Sequence, residues 1–228
     1  MTAHVAGVPA SRNPRPQWLA PTALILLSLI PVIVGAARLT ELTSGAIATE
    51  QTARFLDFPI PVVTHIVSVT VYSLLGAFQF VPALRHRRIG WHRIAGRILV
   101  PAGLLAALSG LWMTGLYRHA QGYGDLIAVF RLIFGSAMVA SIILGIRAIA
   151  RHDFVAHSAW MTRAYAIGLG AGTQALVLIP DAIVLGSTQN LLGALLMGTA
   201  WVINLAAAEF VISRQRGARA PGRLVSIL

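Results

Sequence analysis

The sequence predicts an all-α integral-membrane helix bundle with six transmembrane helices and both termini cytoplasmic, and three observations predict it. Of the 228 residues, 57% are hydrophobic and 11% charged, which is not the composition of a soluble globular chain. Six apolar runs, each near the roughly 20 residues that cross a bilayer, fit into the chain with short connections. The arginines also alternate between sides: Arg12 and Arg15, Arg85, Arg87, Arg88, Arg93 and Arg97, Arg147, Arg151 and Arg163, and Arg214, Arg216, Arg219 and Arg223 fall on one face. Only Arg38, Arg54 and Arg118 fall on the other, and Arg131 lies within a span. The positive-inside rule makes the rich face cytoplasmic.

Composition also excludes whole classes of function. The net charge of +11 resides in membrane-flanking clusters, so it carries no nucleic-acid interface. There is no cysteine, and hence no disulfide framework, thiolate nucleophile or iron–sulfur ligand; there is no lysine for Schiff-base chemistry. The partner implied throughout is the lipid bilayer.

Taken in order, residues 1–17 hold Arg12, Arg15 and three prolines and read as a disordered cytoplasmic tail. The transmembrane domain then runs over residues 18–212. Its first run, residues 18–37, exceeds the roughly 7–15 residues of a signal h-region and reads as a true span, with Pro31 expected to kink it. Residues 38–57 form an external loop bearing Glu41, Glu50 and Asp57. Pro59 and Pro61 open the second span, which runs to about Leu84, before the block RHRRIGWHRIAGR at 85–97 turns the chain on the cytoplasmic side. The third span covers residues 91–117, bent at Pro101, and RHAQGYGD supplies the turn into the fourth at 126–149. RHDFVAHSAWMTR leads into a fifth span ending near Leu185; GSTQN turns into the sixth, residues 191–212, and residues 213–228 form a basic tail.

Spans 2–3 and 4–5 read as a weak internal repeat. Each hairpin turns through an Arg-His pair (Arg85-His86; Arg151-His152), meets a second histidine (His92; His157) and returns past an arginine (Arg97; Arg163). The repeat breaks where the first copy has His65 inside its span, because the matching position in the second is Phe130, beside Arg131.

Two constellations carry candidate chemistry. On a helical wheel His92, Gly96, Gly103 and Gly110 fall within about 40° of one another, and His157, Met161, Ala164, Gly168, Gly172 and Ala175 within about 60°. Each histidine thus heads a face of small residues, which is what a flat haem held by two axial imidazoles requires. Small faces also let membrane helices pack closely, so plain packing is the competing reading. The second constellation is an outward-facing polar pocket. His65, Ser68, Tyr72 and Gln79 form a stripe on span 2, while Arg163, Gly170, Gln174 and Asp181 share an arc of about 40° on span 5. An arginine at a span's centre costs about 2.5–3.5 kcal/mol on insertion scales, and somewhat less at the depth of Arg131, so a partner is expected: Asp181 first, Asp125 second. The pocket set is therefore His65, Tyr72, Arg131, Gln174 and Asp181, with a structural ion pair and interhelical hydrogen bonds as the alternative. Glu209 is expected to reach Arg214 or another arginine on the cytoplasmic side.

The stretch HIVSVTVYSLLGAFQFVPALRHRRIGWHRIAGRILV, followed by RHDFVAHSAWMTRAYAIGLGAGTQ, resembles a bacterial multi-pass membrane family defined as a domain of unknown function (number 2306). The features that carry the likeness are the span 2 histidine, FQFxP, WHRxxGR and AHxxWMxR, over about residues 60–180. The resemblance implies a multi-pass protein of the bacterial cytoplasmic (inner) membrane. More distantly, the chain is similar to transmembrane diheme cytochromes b, which implies a haem pair of His92 and His157 between spans 3 and 5. His65 lacks its span 4 counterpart, Arg131 lying near that spot, so at most one such haem is implied. Two functions are consequently expected. One is b-type haem binding with transmembrane electron transfer to a redox partner, with His92 and His157 on the iron and Gly96, Gly103 and Gly168 against the macrocycle. The other is a membrane-embedded binding, transport or non-redox enzymatic protein that takes a small lipophilic ligand in the outward pocket.

Overall fold

The computed structural model describes residues 18–45, 49, 52–81, 83–84, 88–117, 124–186 and 191–219. The expected N-terminal tail, residues 85–87 of the arginine block, Glu50, Arg118, most of the two outer turns and residues 220–228 lie outside them. Seven long helices follow one another: α1 (Leu19–Thr43), α2 (Ile60–Ala77), α3 (Ile89–Leu116), α4 (Gly124–Ala150), α5 (Phe154–Gly168), α6 (Gly170–Leu185) and α7 (Leu191–Arg219). A short helix, Ala53–Asp57, precedes α2, and a 3₁₀ turn, Phe78–Phe80, follows it. Six segments are long and apolar enough to cross a bilayer, α5 and α6 together making one of 31 residues. The all-α fold with six membrane-length segments among the described residues is the one predicted.

Local chemistry sets the helix ends. Pro59 and Pro61 sit at the first turn of α2, where a missing N–H breaks no helical bond. The α4–α5 turn is tight: the Asp153 N–H donates to the Ala148 carbonyl at 2.9 Å, and the Asp153 side chain caps α5 by accepting from the Ala156 N–H at 2.9 Å. His152 occupies the left-handed position of that turn at φ 61°, where glycine is the usual residue. At the other extreme α7 continues to Arg219, so the chain stays helical beyond the residue 212 boundary read from hydrophobicity.

The fifth span is broken at Leu169, between Gly168 and Gly170. Asn204 of α7 clasps the break: its Nδ2 donates to the Ala166 carbonyl at 3.0 Å, and its Oδ1 accepts from the Thr173 hydroxyl at 2.7 Å. A side chain from a neighbouring helix thereby supplies polar contacts that lipid cannot.

The most extensive packing joins α2 to α3 and α4 to α5, the two hairpins of the expected repeat; α3 then packs on α4. The remaining spans flank this pair of hairpins. Helix α1 leans on α2 and α6, and α7 closes against α4, α5 and α6. The core is centred on Tyr72, Leu99, Met138, Ile142, Tyr165 and Ile167. Outward side chains such as Leu26, Ile33, Val67, Ile98, Leu105 and Ile183 are exposed and apolar, as a lipid-facing surface demands.

Glycines act as sockets for large side chains. A Cβ on Gly103 would stand 2.6 Å from Tyr72 Cε2, and one on Gly168 would stand 2.9 Å from Tyr72 Cε1. The Tyr72 ring is therefore clasped between α3 and α5. Gly76 receives the Tyr165 ring in the same way, and Gly170 receives Trp201. Tyr165 also donates to the Ser73 carbonyl at 2.6 Å, which ties α5 to α2 inside the core.

Candidate functional site

Of the two glycine faces read from the wheel, only Gly103 and Gly168 come together, and the Tyr72 ring fills the space between them. A macrocycle has no room there, so these residues do not fit a haem in this packing. His157 donates from Nδ1 to the Gly145 carbonyl of α4 at 2.9 Å, tying the hairpin α4–α5 together. His92 lies in the first turn of α3, half-buried, and Gly96 opens onto free space.

The second constellation converges on a cavity of about 320 Å³. His65 of α2, Arg131 of α4 and Gln174 of α6 all line it, with Gly168 at its inner end. Tyr72 and Asp181 do not line it. Tyr72 stands behind Gly168, held in its socket. Asp181 is buried with Oδ2 lacking a hydrogen-bond partner, and the Arg131–Asp181 ion pair is not formed. Asp125, the second choice, makes no ion pair with Arg131 either; those among the described residues are Arg38–Glu41 and Arg163–Glu209. The latter is two-pronged, Nε to Oε1 at 2.5 Å and Nη2 to Oε2 at 2.9 Å, with the guanidinium also over the Trp160 ring at 4.6 Å. Glu209 has thus found an arginine on its own side of the membrane, though not Arg214.

Hydrogen bonds fix the orientation of the polar lining. His65 donates from Nδ1 to the Ala106 carbonyl at 2.9 Å, with Ser109 Oγ at 3.2 Å from the same nitrogen. That assignment leaves Nε2 as the ring nitrogen with a lone pair. Gln174 donates from Nε2 to the Met197 carbonyl at 3.3 Å. Around these groups the walls are apolar or small: Val69, Gly110, Gly135, Met138, Ile167, Ala171 and Trp201. No aspartate or glutamate is among the described residues that line the cavity.

The mouth lies at the end where the α1–α2 connection crosses, and the short helix Ala53–Asp57 forms its cover. Arg54 and Phe55 line the cavity from that helix, and Tyr117 and Thr114 line it from the end of α3. The cover is pinned by the Tyr117 hydroxyl, which donates to the Phe58 carbonyl at 2.6 Å, and by an edge-on Phe55–Tyr117 contact with centroids 5.3 Å apart. Phe55 also sits beneath two guanidiniums, Arg54 at 4.7 Å and Arg38 at 5.1 Å from the ring centre. Burial, and then the Arg38 charge, hold the Arg54 guanidinium below its ordinary value. Arg54, Thr114, Tyr117 and Trp201 did not emerge as site residues from the sequence. Arg54 entered only the count of charges by side, and the one signal marking it is an arginine next to an aromatic in an otherwise acidic connection.

Residues 62–212 match the family model DUF2306, described as a predicted membrane protein. No match was found among curated proteins or solved structures, so the likeness to diheme cytochromes b gains no support from them.

Proposed function

We propose, for a chain that belongs to the DUF2306 family of predicted membrane proteins, that its role is to bind a small, lipid-like anion within the bilayer, in the cavity between α2, α3, α4, α5, α6 and α7. The observation that carries this reading is the convergence of two guanidiniums, Arg54 and Arg131, on one cavity whose walls are otherwise mostly apolar. Guanidinium is always charged and matches carboxylate, sulfate and phosphate oxygens in a fork, so two of them in a low-dielectric site favour one negative headgroup. The apolar remainder of the wall suits an alkyl or ring portion, and about 320 Å³ is at the small end of ordinary ligand pockets. With the arginine-rich end cytoplasmic in a bacterial inner membrane, the cavity opens to the outer side.

The test is thermal stabilisation of the detergent-purified protein by short-chain alkyl sulfates and carboxylates, compared with the matching alcohols. The anions raise the unfolding temperature and the alcohols do not; equal effects of both would sink the proposal. Haem-dependent electron transfer has less behind it. The Nδ1–Gly145 bond of His157 leaves Nε2 available to a metal, yet the Tyr72 ring occupies the cradle. A reduced α-band in the absorption spectrum that His92→Ala/His157→Ala abolishes would reverse this order.

A further inference from the structure

We propose that the cavity gauges the length of a single straight alkyl chain, so that its ligands are medium-chain amphiphiles of about eight to twelve carbons with the headgroup at the mouth. The inference rests on the anion-binding reading above and assigns that ligand its apolar part.

The lining changes character with depth. On α3 it runs from Tyr117 at the cover inward to Ala106, about 16 Å of helix. Arg54, Thr114 and Tyr117 stand in the outer part, and Arg131 of α4 lies about 10 Å of helix outward of Met138. The inner end is walled by Ala106, Met138, Ile167, Gly168 and Ala171. The amide of Gln174 is already bonded to the Met197 carbonyl. An amphiphile therefore takes one orientation, chain inward and headgroup outward. The room for its chain is about 10 Å measured from Arg131 along α4 and about 16 Å measured from Tyr117 along α3. An extended chain advances about 1.3 Å per carbon, which sets the range of about eight to twelve. The volume of about 320 Å³ suits one such chain and is too small for the two long chains of a phospholipid.

The floor is what makes this a gauge. One turn inward of Ala106 on α3 comes Gly103, and one turn inward of Val69 on α2 comes Tyr72. The Tyr72 ring stands 2.6 Å from a Cβ built on Gly103 and 2.9 Å from one built on Gly168, so it bridges from α3 to α5 across the bottom. Gly168 belongs to both structures, lining the cavity and receiving the ring, and Met138 Cε lies 3.3 Å from the same built atom. Tyr165 packs against Tyr72 with centroids 5.7 Å apart and is itself bonded to the Ser73 carbonyl, which holds the ring in place. A chain that reaches Tyr72 has no further wall to bury against.

The experiment measures the affinity of straight-chain alkanoates, hexanoate to hexadecanoate, for the full-length protein in phosphatidylcholine nanodiscs, on the scale of free aqueous ligand. A pH of about 8.5 keeps the carboxylates ionised. Each added methylene should strengthen binding about fourfold until the chain meets the floor, at about ten to twelve carbons, and add little beyond. Ala171→Leu adds bulk to the inner wall and should move this break about three carbons shorter; Met138→Ala removes bulk and should move it longer. An affinity that climbs without a break to hexadecanoate would overturn the gauge while leaving the anion site standing, as would a break that both variants leave in place. No alkanoate binding at any length would overturn both.

Discussion

The arginine-rich half of the bundle and the half beneath the cover are built from the same small residues, yet one is solid and the other hollow. In the first, Gly76, Gly103 and Gly168 each stand opposite an aromatic ring, and Tyr72 and Tyr165 fill what the glycines leave. In the second, a Cβ added to Gly110 would meet only the edge of His65, at 3.4 Å from its Cε1, and Ala106, Ala107 and Ala171 line the cavity beside it. A glycine in a membrane helix therefore means close packing or open space according to what the facing helix brings. Depth in the bundle does not decide it. The ionic groups divide in the same way. Arg163 is paired with Glu209 in the packed half, whereas Arg54 and Arg131 converge on a cavity whose described lining includes no aspartate or glutamate.

Substitutions can break or sharpen this contrast. The largest effect is expected from Tyr72→Ala, which empties the socket between Gly103 and Gly168 and should cost about 3–5 kcal/mol, read as a lower midpoint of thermal unfolding in detergent. Arg131→Ala should act on binding instead. The loss of a charge-assisted contact, about 1.5–3 kcal/mol, corresponds to roughly 10–150-fold weaker binding of an alkyl sulfate, with a smaller fall in the unfolding midpoint than Tyr72→Ala causes. A midpoint falling as far as that of Tyr72→Ala would mean that Arg131 belongs to the packing. Gly103→Ala forces a methyl to within 2.6 Å of Tyr72 and 3.0 Å of Ile142, and about 1–3 kcal/mol of stability should be lost. Gly110→Ala is the opposite case. Its methyl meets His65 at ordinary contact distance, so helix propensity dominates and stability should rise by about 0.5–1 kcal/mol. Matching signs for the two glycine variants would erase the distinction between the halves.

Six spans and their alternation were legible because bilayer thickness imposes a length on every crossing and the arginines record the sides. Helical faces were legible as well. The arc of Arg163, Gly170 and Gln174 does face one neighbour, meeting Glu209, Trp201 and Met197 of α7. Periodicity names the residues that share a face without naming what stands opposite. That is why Gly103 and Gly168 suggested room for a cofactor when Tyr72 of a third helix takes it, and why Arg131 was matched to Asp181 by depth alone. The break at Leu169 escaped notice for a related reason: neither Gly168 nor Gly170 ends a helix unaided, and the Asn204 side chain that clasps the break comes from 35 positions further along. The cover was missed because five residues, Ala53–Asp57, are too few to show a period.

That cover has an evolutionary bearing. The matched family segment begins at residue 62, so the deep walls of the cavity, from His65 to Trp201, fall inside it, while Arg54 and Phe55 fall before it. Among the described residues the cover is held by the Tyr117–Phe58 bond and by contacts of the Phe55 ring, all at the rim of the walls and not within them. The doorway thus lies outside the family segment and the chamber within it. Exchanging residues 52–58 between relatives is the direct way to transplant the doorway.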